Sequence, residues 1–158
     1  LARQLGLAEE QVDSFTRNIM GKFNSRKAPL PLFDGMRYVV VNLYKLFPLA
    51  IVSGNSEITI RSFLDFHQLT PYFKHIAGKE TKGSKSTKLK FLADNFNLPI
   101  DEIFLIGDAK SDIREARLAG AQSVAVAWGN QSLKQLLRES PSLVAHKPID
   151  LLNLFATE

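Results

Sequence analysis

None of the 158 residues is cysteine, which excludes disulfide scaffolds, cysteine nucleophiles and thiolate metal sites and points to a reducing, cytoplasmic compartment. No apolar run approaches the roughly 18–20 residues of a membrane-spanning helix. The longest are short stretches such as Ile103 to Ile106 and Val124 to Trp128, so no membrane role is expected. Neither sign of charge dominates: 20 Lys+Arg against 16 Asp+Glu leave +4, an excess compatible with phosphate or nucleic acid as partner that selects neither. Internal repeats and low-complexity segments are missing, and His67, His75 and His146 lie scattered without ligand spacing. What is present is ordinary globular composition, 45% hydrophobic and 23% charged. A chain of this length buries about 68–70% of its unfolded surface and builds a proper core.

Periodicity then orders the chain. Val12, Phe15, Ile19, Met20 and Phe23 recur at helical spacing over Ala8 to Phe23, behind the acidic first turn of Glu9 and Glu10. Two prolines and a glycine within Ala28 to Gly35 break any helix and mark the main boundary. A helix is predicted from about Met36 to Phe47, then a buried strand over Leu49 to Val52, a tight loop from Ser53 to Ser56 and a helix through Ile60, Phe63, Leu64 and His67. The grammar repeats. A helix over Ser84 to Asn97 precedes a strand at Ile103 to Ile106, and Gly107-Asp108 turns into a helix from Ser111 to Ala119, with Gly120 as its C-terminal cap. Strands at Ser123 to Trp128 and Leu143 to Ala145 alternate with helices at Ser132 to Arg138 and Ile149 to Phe155. Such alternation means parallel βαβ units: a three-layer α/β fold with an open, mostly parallel, Rossmann-like sheet and helices on both faces. In such sheets ligands bind beyond the carboxyl ends of the strands, so the loops to read are Ser53 to Ser56, Gly107 to Asp112 and Trp128 to Gln131.

Chemistry concentrates in these loops. Asp108 and Asp112, four apart at a strand end and a helix start, can face one point above the sheet, as a Mg²⁺ site retaining several waters requires. The plainer reading is that Asp108 caps the helix and Asp112 favours its first turn. Ser53, with Gly54 and Asn55, offers a hydroxyl and backbone N–H groups to phosphoryl oxygens, against a plain helix cap by Asn55 or Ser56. Lys79, Lys82, Lys85, Lys88 and Lys90 form a basic run that reads mostly as solvated. It is not a P-loop, because Ser84 separates Gly83 from Lys85 and no convincing apolar strand precedes it. Lys85, at a helix start, is the candidate to neutralise phosphate. The run also lacks the interleaved aromatics suited to stacking bases, so nucleic acid is disfavoured as a partner.

Taken in order, four segments resemble the haloacid dehalogenase-like superfamily, in its phosphoglycolate-phosphatase-like branch. Leu30 to Met36 is similar to the hinge before the core, Ala50 to Ser56 to the second motif, Gly83 to Ser86 to the lysine motif, and Ile106 to Asp112, with Ala116, Ala119 and Gly120, to the acidic fourth motif. Val124 to Gly129 and Lys147 to Leu152 match the branch as well, so the resemblance runs from about residue 30 to the end. It implies a Mg²⁺-dependent phosphate monoester hydrolase acting on a small phosphorylated substrate through an aspartyl-phosphate. Ser53 and the loop with Gly54 and Asn55 would bind the phosphoryl group, and Lys85 would balance charge, although Lys82 or Lys88 could fall into the same register. Asp108 would ligate Mg²⁺, and Asp112 would hold the metal's water or orient Lys85.

One departure stands out. The family's first motif, Asp-x-Asp, supplies its nucleophile and general acid, and none of the eight Asp residues here lies two from another. The motif ends a strand that would lie between Leu49 to Val52 and Ile103 to Ile106, so two strands are expected to face each other across a gap. The resemblance accordingly implies more chain before Leu1, an inactive core as written, residues 1–30 as the trailing part of a helical cap, and residues 31–158 as the core without its first strand. The alternative is a catalytically inactive relative serving as an interaction or anion-binding module through the lysine run.

Overall fold

The computed structural model describes residues 30–155. The chain divides into two units, Leu1–Pro31 and Leu32–Glu158. The helix expected over Ala8 to Phe23 and the cap reading of residues 1–30 lie outside the described residues.

After the Pro-Gly segment, Gly35 takes a left-handed turn (φ 77°) and α1 runs over Met36–Tyr44. Pro48 stands before β1, Ala50–Val52, and Ser56 caps α2, Glu57–Phe66, by accepting the Thr59 N–H. A 3₁₀ turn at Thr70–Tyr72 leads to β2, His75–Ala77. Ser84 caps α3, Lys85–Phe96, which stops where Asn97 turns left-handed at φ 54°. A second 3₁₀ turn, Ile100–Glu102, precedes β3, Phe104–Gly107, and α4, Lys110–Ala119, which ends on Gly120 at φ 87°. Then come β4 (Gln122–Val126), α5 (Leu133–Leu137), β5 (Leu143–Ala145) and α6 (Asp150–Phe155).

Every strand pair is parallel: β1 with β2, β3 with β4, and β4 with β5. Helices cover both faces, and β4 shows why. Val124 and Val126 point to one face, where they pack with Val39 and Leu43 of α1 and Leu151 of α6. Ala125 points to the other, against Ile113 of α4 and Leu136 of α5. Leu89 of α3 joins Ala116 and Ala119 of α4 beneath Val52 and Leu105, while Ile60 and Leu64 of α2 pack on Ile51, Ile76 and Val40. Each such Leu or Ile contributes about 1.5–3 kcal/mol on burial.

One finding departs from the sequence reading and a second agrees with it. First, β2 was not expected; the lysine run follows a strand after all, one of three residues whose burial comes from pairing with β1 and packing under α2. Second, the strands form two sheets, β1-β2 and β3-β4-β5. The sides of β1 and β3 that carry no partner among the described residues line one cleft of about 450 Å³, together with Met36, Leu43, Leu92 and Phe96. Phe104 and Ile106 of β3 are 38% and 39% exposed there, unusual for apolar residues of a parallel sheet. The gap expected between these strands is therefore present.

Candidate functional site

The acidic loop is built by close approach to glycine. Asp112, 5% exposed, sits on α4 against Gly107, where a Cβ would fall inside 3.0 Å of its side chain. One carboxylate oxygen accepts the Ala109 N–H at 3.2 Å and the other pairs with Lys85 Nζ. Both oxygens of Asp112 are thus engaged within the protein. Asp108 rests in the same way against Gly129, its Oδ2 accepting the Asn130 N–H at 2.7 Å. Gln131 closes the turn: its N–H donates to Asp108 O at 3.3 Å and its Oε1 accepts the Lys110 N–H at 2.8 Å, covering an orphan donor at the start of α4. The N-cap of α4 is Ala109, not Asp108.

Asp108 Oδ1 accepts no hydrogen bond among the described residues. That leaves one hard oxygen, which fits Mg²⁺, an ion that keeps several waters and takes as few as one or two carboxylates. Among the described residues no three His, Asp or Glu gather that could form a larger metal cage.

Ser53 follows β1 and is partly buried, and its Oγ accepts the Asn55 N–H at 3.1 Å. Because Ser56 caps α2, Ser53 is free of that task. Gly54 and Asn55 are exposed, and Asn55 O accepts the Lys79 N–H at 2.8 Å. Opposite, Lys85 opens α3 and reaches across to Asp112. Ser53 and Asp108 thus follow the carboxyl ends of β1 and β3, the two strands that line the cleft. Lys82 is exposed, and Lys88 is buried rather than solvated, its Nζ donating to Gly78 O at 2.7 Å and lying 3.4 Å from Ser53 O.

Sequence reading missed several supports. Glu115, one turn beyond Asp112, accepts the Ser86 N–H at 2.7 Å and so caps α3 from α4. That bond, helped by the Lys85 charge, holds its carboxyl below the ordinary carboxylate range. Glu80 does the same for the Glu57 N–H at 2.9 Å, at the start of α2. Asn130 and Gln131 lay in a loop the strand-end rule had singled out; nothing local marked their roles.

Comparison with known proteins adds the following. A model of the family described as haloacid dehalogenase-like hydrolase matches residues 2–126. Phosphoglycolate phosphatase of Aliivibrio fischeri is 28% identical over 102 residues, 63% of this chain and 45% of that protein. Phosphoglycolate phosphatase of Synechococcus elongatus is 26% identical over 153 residues, 96% of this chain and 72% of that one. The chain spans about half the length of most of the curated relatives it matches, such as the Pseudomonas syringae phosphoglycolate phosphatase, of which it covers 51%. Among solved structures, a haloacid dehalogenase-like family hydrolase of Streptococcus pneumoniae superposes with a TM-score of 0.85 at 23% identity, covering 95% of this chain and 72% of that one, a likeness of fold.

Proposed function

Because the chain belongs to the haloacid dehalogenase-like hydrolase family, we propose that its Ser53, Lys85, Asp108 and Asp112 form the phosphoryl-transfer site of a Mg²⁺-dependent phosphate monoester hydrolase of the phosphoglycolate phosphatase kind. The observation that supports this reading is the Lys85–Asp112 pair, which joins the start of α3 to the acidic loop after β3. Ser53 O–H and the Gly54 N–H bind phosphoryl oxygens, and Lys85 offsets the charge that accumulates on them. Asp108 holds Mg²⁺ through its unbonded oxygen, and Asp112 fixes the direction of Lys85; the ion, when bound, neutralises phosphate charge.

The nucleophile belongs to a carboxylate at the end of a strand seated in the cleft between β1 and β3. Its oxygen attacks phosphorus as the ester P–O bond breaks and the leaving oxygen takes a proton; water then cleaves the acyl phosphate, releasing inorganic phosphate and the carboxylate. Such a strand needs about four residues, roughly 13 Å, to run alongside β3, and would give the facing backbone groups of β1 and β3 their partners.

The test supplies that strand, ahead of the chain or as a peptide, as an apolar segment ending in Asp-x-Asp. Mg²⁺-dependent release of phosphate from an aryl phosphate is expected with it and none without it, and Asp108→Asn should abolish the gain. Phosphate binding without turnover under all these conditions selects the inactive anion-binding module acting through the lysine run, Lys79 to Lys90.

A further inference from the structure

Of the five lysines from Lys79 to Lys90, Lys88 alone is buried, at 5% exposure. Its acceptors are two carbonyl oxygens, Gly78 O at 2.7 Å and Ser53 O at 3.4 Å. Neither ion pair among the described residues includes it; those are Lys85–Asp112 and Arg114–Glu139. A buried cation without a carboxylate partner is poor value as a stabiliser, since well-packed apolar residues do as well or better in such places. The geometry points to another role.

Ser53 C=O and Gly54 N–H belong to one planar trans peptide, so they point in opposite directions. With the carbonyl turned inward to Lys88, the Gly54 N–H faces away from the core, and it donates to no acceptor among the described residues. The second acceptor works alike. Gly78 C=O shares its peptide with the Lys79 N–H, which donates to Asn55 O at 2.8 Å and so braces the same loop from the far side. Gly78 leaves no room for adjustment: a Cβ there would lie 2.8 Å from Glu57 N. Lys85 and Lys88 are three residues apart on one face of α3. The first grips the acidic loop and the second the serine loop, so this helix supplies a polar tie across a cleft that no strand pairing bridges.

We infer that Lys88 is a positioning residue that turns the Ser53–Gly54 peptide so that the Gly54 N–H is presented to a tetrahedral oxyanion. The inference rests on the phosphoryl-binding reading of that loop. It is tested by following the Gly54 and Asn55 amide resonances during titration with inorganic phosphate, and by amide hydrogen exchange at Ser53 and Lys79. Lys88→Met, which keeps the aliphatic stem, should weaken phosphate binding tenfold or more and speed exchange at Lys79, with a far-ultraviolet spectrum and exchange at Ala116 like wild type. Lys90→Met, an exposed control, should stay within twofold; an equal loss there would mean general charge and overturn the inference. Wild-type affinity and exchange in Lys88→Met would overturn it too. If wild type shows no response to phosphate at Gly54, the phosphoryl-binding reading fails by itself; the exchange result then decides the Lys88 tie, retained protection at Lys79 refuting it and lost protection upholding it. Should Lys88→Met not fold, Lys88→Leu, which likewise has no donor, is read in the same way.

Discussion

One methyl group at position 129 is enough to disturb the acidic loop. The Cβ of an alanine there would fall inside 3.0 Å of Asp108, and the Asn130 N–H that follows is the donor that orients the carboxylate. Gly129→Ala is therefore expected to weaken Mg²⁺ binding about 10- to 100-fold, the range seen when a ligand's supporting contacts are lost, without unfolding the chain. Titration calorimetry beside a thermal melt checks it: unchanged affinity would detach Asp108 from the ion. Asp108 and Asp112 were visible in the sequence because a strand end and a helix start bracket them. Lys88 was hidden among lysines that are solvated, although its position carried a signal: it falls four before Leu92 and one before Leu89, on the stripe that α3 turns inward. A charge on an apolar stripe deserved separation from its neighbours.

Between α3 and α4 the decisive contact is a cap lent by one helix to the other. α3 has no acidic residue in its own first turn, and Glu115 of α4 supplies the carboxylate that accepts the Ser86 N–H. Its folded-state pKa lies below the unfolded value, so its stabilisation is complete above that value, near 4.5, and is lost as pH falls through the folded one. Glu115→Gln should lower the melting temperature at pH 7 by about 2–4 °C, what a cap of ~1 kcal/mol is worth in a domain this size. The difference from wild type should shrink below pH 4.5; a constant offset down to pH 3 would refute the charge account. Element boundaries were legible where chemistry marks them, at Ser84 and Gly120. β2 was not, because three residues beginning with His75 present no period, and their burial depends on β1 and α2, which lie elsewhere in the chain.

At the scale of the molecule the open cleft governs behaviour in solution. Unpaired strand edges flanked by apolar side chains invite other strands, and natural sheets blunt such edges with charge. Phe104, 38% exposed on β3, is where a charge would act. Phe104→Lys should reduce concentration-dependent light scattering of the chain at neutral pH; equal scattering would show that association uses another face. The split of the sheet was legible from family resemblance alone, since composition and periodicity describe strands singly and say nothing of which neighbour each one has.

The division into β1-β2 and β3-β4-β5 also bears on cooperativity. The two sheets have separate apolar clusters under α2 and around β4, and α1 and α3 are helices that pack against both sheets, through Val39 and Val40 on one side and Leu89 with Lys85 and Lys88 on the other. The resistance of this chain to unfolding is then two local quantities joined by a coupling carried in those helices, and a heat-absorption curve records how strong that coupling is.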